Sequence, residues 1–156
     1  MDAAGYNGFN LLLGDGNRLI AFSNISMQRH ELAPGVYGLS NALLDTPWPK
    51  VGAGKTALET ALGALPDETA LFRLLRDDTL HPDAALPATG VSLAWERLLS
   101  AAFIRSPDYG TRCSTVIKVG TGSNGQQLAS FDEQTWLPGA NSSIAGERRR
   151  FRLKIA

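Results

Sequence analysis

Cysteine is almost missing: Cys113 is the only one in 156 residues. That excludes an internal disulfide and a cysteine-based metal framework. A reducing cytoplasm is the simplest home for such a chain. Histidine is nearly as scarce. His30 and His81 lie far apart in sequence, and neither has a second metal-ligating residue beside it at helical spacing, so no local metal site is expected. The net charge is zero, which argues against a general nucleic-acid binder. No apolar run approaches the roughly 18 residues of a membrane span. Met1 to Gly5 lack the basic and apolar regions of a signal peptide, in line with a cytoplasmic location.

What is present is core-forming material. Hydrophobic residues make up 44% of the chain and charged residues 19%, the balance of a globular rather than a disordered protein. The length suits one domain with a core of its own. No internal repeat or composition shift divides it, so residues 1–156 are read as a single domain.

The predicted elements run strand, helix, strand. Phe9–Leu13 and Arg18–Ser23 flank the turn signal Gly14-Asp15-Gly16-Asn17 and read as a hairpin. His30–Leu32 and Val36–Leu39 are further short strands. Leu58, Ala61, Leu62 and Leu65 form a helical stripe over Lys55–Leu65. Asp67 caps a second helix carrying Leu71, Leu74 and Leu75. Ser92 caps a third, to about Ala102, with Trp95, Leu98 and Leu99 on one face. Ser114–Val119 and Leu128–Trp136 are strands around the turn Gly120–Gly125. In the last strand Phe151, Leu153 and Ile155 alternate with Arg150, Arg152 and Lys154, the period of a half-buried strand with a solvated basic face. The order predicts an α+β fold, helices on mainly antiparallel sheets.

The segment Gly35–Lys50 carries the most local information. It begins as a strand, reaches Ser40-Asn41, and leaves through Pro47-Trp48-Pro49. Proline fixes φ and biases the preceding residue to extended geometry, and Trp48 brings an apolar body that wants a pocket. The pattern can present the Asn41 amide from a strand end, or it can be a turn that satisfies its own backbone. Gly52-Ala53-Gly54-Lys55-Thr56 imitates the end of a phosphate loop, but Pro49 stands where the motif needs glycine; a glycine-rich helix entry is expected. Cys113 opens a strand and is expected to be a buried, inert thiol. Before it, Ser106–Thr111 is a turn delivering Arg112 to a strand start. Its guanidinium can hold a carboxylate or developing negative charge, or simply pair with an acid such as Asp108.

Several of these segments resemble one family in the same order: Tyr6-Asn7-Gly8-Phe9-Asn10-Leu11-Leu12-Leu13-Gly14-Asp15, Ser23-Asn24, Gly35-Val36-Tyr37-Gly38-Leu39-Ser40-Asn41, Leu44-Asp45-Thr46-Pro47-Trp48-Pro49-Lys50, Trp95–Ser100, Phe103-Ile104-Arg105 and Tyr109-Gly110-Thr111-Arg112. Together they are similar to the NRDE family, also called the transport and Golgi organisation family. The resemblance implies part of an N-terminal-nucleophile-hydrolase-like αββα sandwich. It also implies that this chain is the C-terminal portion of a longer domain, because Asp2 stands where the family has cysteine and the Asn-Arg-Asp-Glu motif is absent. An N-terminal cysteine in such enzymes uses its own α-amine as base; without it the chain is expected to be catalytically incompetent. By resemblance Asn41 and Arg112 are supporting residues, and Asn41, Trp48, Tyr109 and Arg112 face a small ligand. The family's link to haem trafficking makes haem a ligand by resemblance alone, with no metal-binding residues assigned. The alternatives are the C-terminal half of an amidohydrolase, or a non-catalytic piece that associates with its missing half or with itself through exposed sheet edges. Neither a nucleic-acid partner nor a membrane span is expected.

Overall fold

A computed structural model describes residues 5–122, 125–137 and 144–155. The fold is α+β, with two antiparallel three-stranded meanders and three helices between them in sequence. The first sheet is β1 (Asn10–Gly14), β2 (Leu19–Ser23) and β3 (Gln28–Leu32), in that spatial order. Its first turn forms as expected. Asp15 Oδ1 accepts from the backbone of Asn17 and Arg18 at 3.0 and 2.9 Å, and Gly16 takes φ +88°, where a side chain would be strained.

The expected strand Val36–Leu39 does not form; the segment belongs to no strand among the described residues. It is held by side chains instead. Asp45, at φ +55°, donates its N–H to Gly38 O (2.8 Å) while its Oδ1 accepts the Gly38 N–H (2.8 Å). Lys55 Nζ donates to the same carboxylate at 2.8 Å, holding its acidity stronger than usual, with the Gly38 N–H adding to the effect. Asp45 therefore closes loop 38–45 and ties it to the helix that follows.

That helix, α1 (Pro49–Leu62), begins six residues before Lys55. Pro49 occupies its first position, where the missing N–H costs nothing, so the proline that was expected to lead the chain away starts the helix. The phosphate-loop imitation lies inside α1 and offers no loop. Helix α2 (Thr69–Leu74) follows. Asp67 is not its N-cap as expected: Glu68 holds that position without a side-chain cap bond, and Asp67, one residue earlier, accepts from Thr69 N and Oγ1 at 2.9 and 2.6 Å. Helix α3 (Leu93–Leu99) is capped by Ser92, whose Oγ accepts from Trp95 N. It ends three residues short of Ala102.

The second sheet is β4 (Cys113–Thr121), β5 (Gln127–Leu137) and β6 (Ile144–Lys154). Part of the turn Gly120–Gly125, at 123 and 124, lies outside the described residues. Ala61, Leu71 and Val116 bring α1, α2 and β4 into one core, flanked by Leu58, Phe72 and Leu75. A second packing centre joins the wholly buried Phe103 to Trp136, their rings edge to face at 5.1 Å. Trp136 Nε1 donates to Ser114 Oγ at 3.0 Å. The two sheets meet where Gln127 Nε2 donates to Asn17 Oδ1.

The polarity of the second sheet is the reverse of what β6 predicts. Register aligns Val116, Asp132 and Arg150 across one face and Ile117, Phe131 and Phe151 across the other. The helix-facing side holds the charges: Asp132 is 2% exposed and accepts from Arg148 and Arg150. Glu68 at the start of α2 pairs with Lys118 and Arg150. The Arg148 guanidinium also lies 4.2 Å from the Phe72 ring. Phe151 and Leu153 stand on the opposite, uncovered side, 52% and 57% exposed, with Ile117 at 62%. The alternation was legible, but which side the helices cover was not. Cys113 is likewise exposed rather than buried.

Candidate functional site

Four separate segments surround one cavity of about 250 Å³. The first is 41–50, with Asn41, Trp48 and Lys50. The others are the loop 86–91, the inner side of α3 with Glu96 and Leu99, and the turn carrying Ile104 and Tyr109.

Each wall is fastened by identifiable contacts. Asn10 Nδ2 on β1 donates to Ala42 O at 2.9 Å and more weakly to Ser40 O, which fixes the bend at Asn41 from both sides. The Asn41 side chain has no hydrogen bond of its own among the described residues, so it is not a self-satisfying turn. It is exposed and also borders a wider open groove, about 790 Å³, against Phe9 and Ile25. Arg97 grips Asp83 with two hydrogen bonds of 2.7 and 2.6 Å, and this bidentate pair holds the loop that supplies Leu86 and Pro87. Ser106 Oγ bonds both the N–H and the carbonyl of Tyr109. The Tyr109 ring then meets Trp95 edge to face at 5.4 Å.

The two charged groups of the cavity come from Lys50 and Glu96. Glu96 is 7% exposed on a helix whose other residues are open or half-buried. Its Oε1 accepts from Thr89 N and Thr89 Oγ1 at 2.7 and 2.6 Å. Lys50 is in the first turn of α1, and its Nζ donates to Leu99 O at 2.8 Å, capping a carbonyl at the end of α3. Burial makes the Lys50 ammonium more acidic than an ordinary lysine. Sequence reasoning missed both. Glu96 sits one position beyond a capping-box glutamate and looks like a solvated helix residue; Lys50 was read only as the end of a stiff segment.

Of the residues singled out from the sequence, Asn41, Trp48 and Tyr109 converge on this cavity. Arg112 does not line it. Its side chain is exposed, with no hydrogen bond or ion pair among the described residues; its carbonyl accepts from Trp136 N at 2.8 Å. The strand-end position expected for Asn41 is corrected with the missing strand: the amide stands on a bend. No cluster of three or more metal-ligating side chains exists among the described residues. No helix there is long and apolar enough to cross a membrane.

Fold and site define an α+β protein with a small cavity, apolar-walled and carrying one charge of each sign. The family model for Transport and Golgi organisation 2 matches residues 1–136, and the chain belongs to that family. The Transport and Golgi organization protein 2 homolog of Bos taurus is 35% identical, over 96% of this chain and 58% of its own length. The Homo sapiens homolog is 37% identical over 73% of this chain and 47% of its own. The Mus musculus homolog is 34% identical over 85% and 52%. The chain thus spans about half the length of the curated relatives it matches. Strand β6 lies beyond the residues that the family model matches. No solved structure matches the chain.

Proposed function

We propose that this chain is the ligand-handling portion of a Transport and Golgi organisation 2 family protein, and that it binds a small molecule without transforming it. The observation that carries this reading is the convergence of Asn41 and Trp48, from one segment, with Tyr109, about sixty residues further on, on one cavity. Apolar walls with a few placed polar groups are the usual form of a small-molecule site. The volume of about 250 Å³ is below the range of drug-sized pockets and favours a ligand smaller than a haem macrocycle. Replacing Trp48 with alanine is expected to weaken any ligand found by thermal-shift screening by about tenfold or more, as for a central aromatic anchor. Equal affinity in the variant would place the ligand elsewhere. Haem itself is tested by titration: a Soret change that survives the Trp48 and Tyr109→Phe substitutions would move haem to another surface.

Hydrolysis is not proposed for this chain. An amidohydrolase half would use Asn41 and Arg112 on one site, and Arg112 is outside the cavity lining.

A second reading concerns assembly and rests on surface. The uncovered face of β4–β6 carries Ile117, Val119, Phe151 and Leu153, each more than half exposed. We infer that this face packs on another sheet, from the complementary portion of the family domain or from a second copy, as in a stacked αββα sandwich. The chain alone is then expected to self-associate, and the Ile117→Glu, Phe151→Glu double variant to sediment as a monomer. A wild-type chain that stays monomeric at high micromolar concentration removes the inference.

A further inference from the structure

We propose that the cavity is built for a zwitterionic ligand, with the ligand's ammonium on the Glu96 carboxylate and its carboxylate on the Lys50 ammonium. This rests on the reading of the cavity as a ligand site and adds the chemical class of the ligand.

The case begins with unmatched hydrogen-bonding capacity. Both bonds that Glu96 receives, from Thr89 N and Thr89 Oγ1, fall on Oε1. Oε2 has no partner among the described residues. Every fully enclosed side-chain nitrogen or oxygen there does have one, so Oε2 keeps some access, and Glu96 lines the cavity. A carboxylate this buried is costly unless a donor or cation meets it. No cation among the described residues does so.

Lys50 shows the complementary lack. An ammonium has three donors, and Nζ gives one, to Leu99 O. It lies 5.7 Å from the Trp48 ring centre and forms no ion pair among the described residues. Burial weakens its hold on its proton. The first turn of a helix also disfavours a cation, because the dipole is positive there.

These opposite charges share one small cavity without pairing. A ligand with a positive charge alone satisfies Glu96 and is repelled by Lys50; one with a negative charge alone meets the reverse. A zwitterion satisfies both, and its carbon body meets Leu86, Pro87 and Val91. The volume fits a molecule of amino-acid size.

The test is calorimetric titration of the full chain with five six-carbon probes: norleucine, 6-aminohexanoate, hexylamine, hexanoate and hexanol. The two zwitterions bracket short and long charge separations. At least one of them is expected to bind about tenfold or more tightly than hexylamine and hexanoate, a difference of about 1.4 kcal/mol. Glu96→Gln, which keeps an acceptor for Thr89, is expected to erase the advantage over hexanoate. Lys50→Met is expected to erase the advantage over hexylamine. If Lys50→Met fails to fold through loss of its Leu99 contact, the wild-type ratios and Glu96→Gln decide alone. Hexylamine or hexanoate binding as tightly as both zwitterions overturns the proposal. Hexanol binding while neither zwitterion does better also overturns it, but leaves the cavity as a ligand site. If none of the five binds, both readings fall.

Discussion

Replacing Arg148 and Arg150 together with alanine is expected to destabilise the chain by about 3 kcal/mol and to reverse its response to acid. The substitutions strand the Asp132 carboxylate, which is 2% exposed and has these two guanidinium groups as its partners on β6. Leaving a buried charge without its partner is among the largest effects a substitution can have, ~3–5 kcal/mol. The arginine side chains are 46% and 56% exposed, and solvent weakens their part, so the lower end applies. The reverse substitution, Asp132→Asn, should cost less, about 1.5–3 kcal/mol for lost charged hydrogen bonds, since both arginines can turn toward water.

The pH dependence separates this cause from ordinary packing damage. The hydrogen bonds from Arg148, with those from Arg150, hold the Asp132 carboxyl far below the usual carboxylate range. A carboxyl whose folded pKa lies below its unfolded value stabilises the fold above the unfolded pKa, about 3.9. That contribution is lost as pH falls further toward the folded value. In the double variant burial acts unopposed and raises the folded pKa above the unfolded one. Stability is then regained as pH falls through the raised value. Urea unfolding at pH 7, at about pH 4 and at about pH 2.5 measures both slopes, the parent's loss falling below the unfolded pKa. A double variant that loses stability on acidification as the parent does would show that Asp132 is not held by these arginines.

The second large effect belongs to Phe103. Its ring is wholly buried, with Trp136 edge-on and the Arg105 guanidinium 5.1 Å from its centre. Phe103→Ala is expected to cost about 3–5 kcal/mol, a fall of roughly 10 °C in melting temperature at this chain length. Phe103→Leu should cost less, because it keeps much of the buried apolar volume while losing the edge contact with Trp136. Ile104, next in the chain, is a cavity wall, and Phe103 N–H is anchored on Asp77 O at 2.8 Å. The alanine variant should therefore also lose ligand binding at temperatures where it is still folded. Retained melting temperature would mean the ring is not a packing centre, and retained binding would separate it from the cavity.

How legible was all this? The first hairpin, the Ser92 cap and the long strands of the second sheet were read from local chemistry, and they form. Each depends on turn residues, a cap or a period that acts within a few residues. Val36–Leu39 failed because strand pattern requires a partner, and none among the described residues pairs with it; Asp45 holds Gly38 in place instead. The start of α1 was missed because Pro49 was read as a spacer rather than as the first residue of a helix.

The site divides in the same way. Trp48, Asn41 and Tyr109 stand out locally, as a large aromatic between prolines, an amide at a bend and a turn tyrosine. Glu96 and Lys50 do not, since nothing in a helix's own sequence tells a buried glutamate from a solvated one. Arg112 has local prominence but no place in the cavity.

The sequence by itself therefore determined the α+β class, the family, and the residues able to make turns, caps and aromatic anchors, because those properties are local or compositional. Only the tertiary structure decided which face of each amphipathic element is covered. It placed Arg148 and Arg150 against α2 and left Phe151 outside, and it turned Glu96 inward to share a cavity with Lys50. The physical reason is that alternation fixes which residues lie together on a face, while burial depends on what the rest of the chain packs against that face.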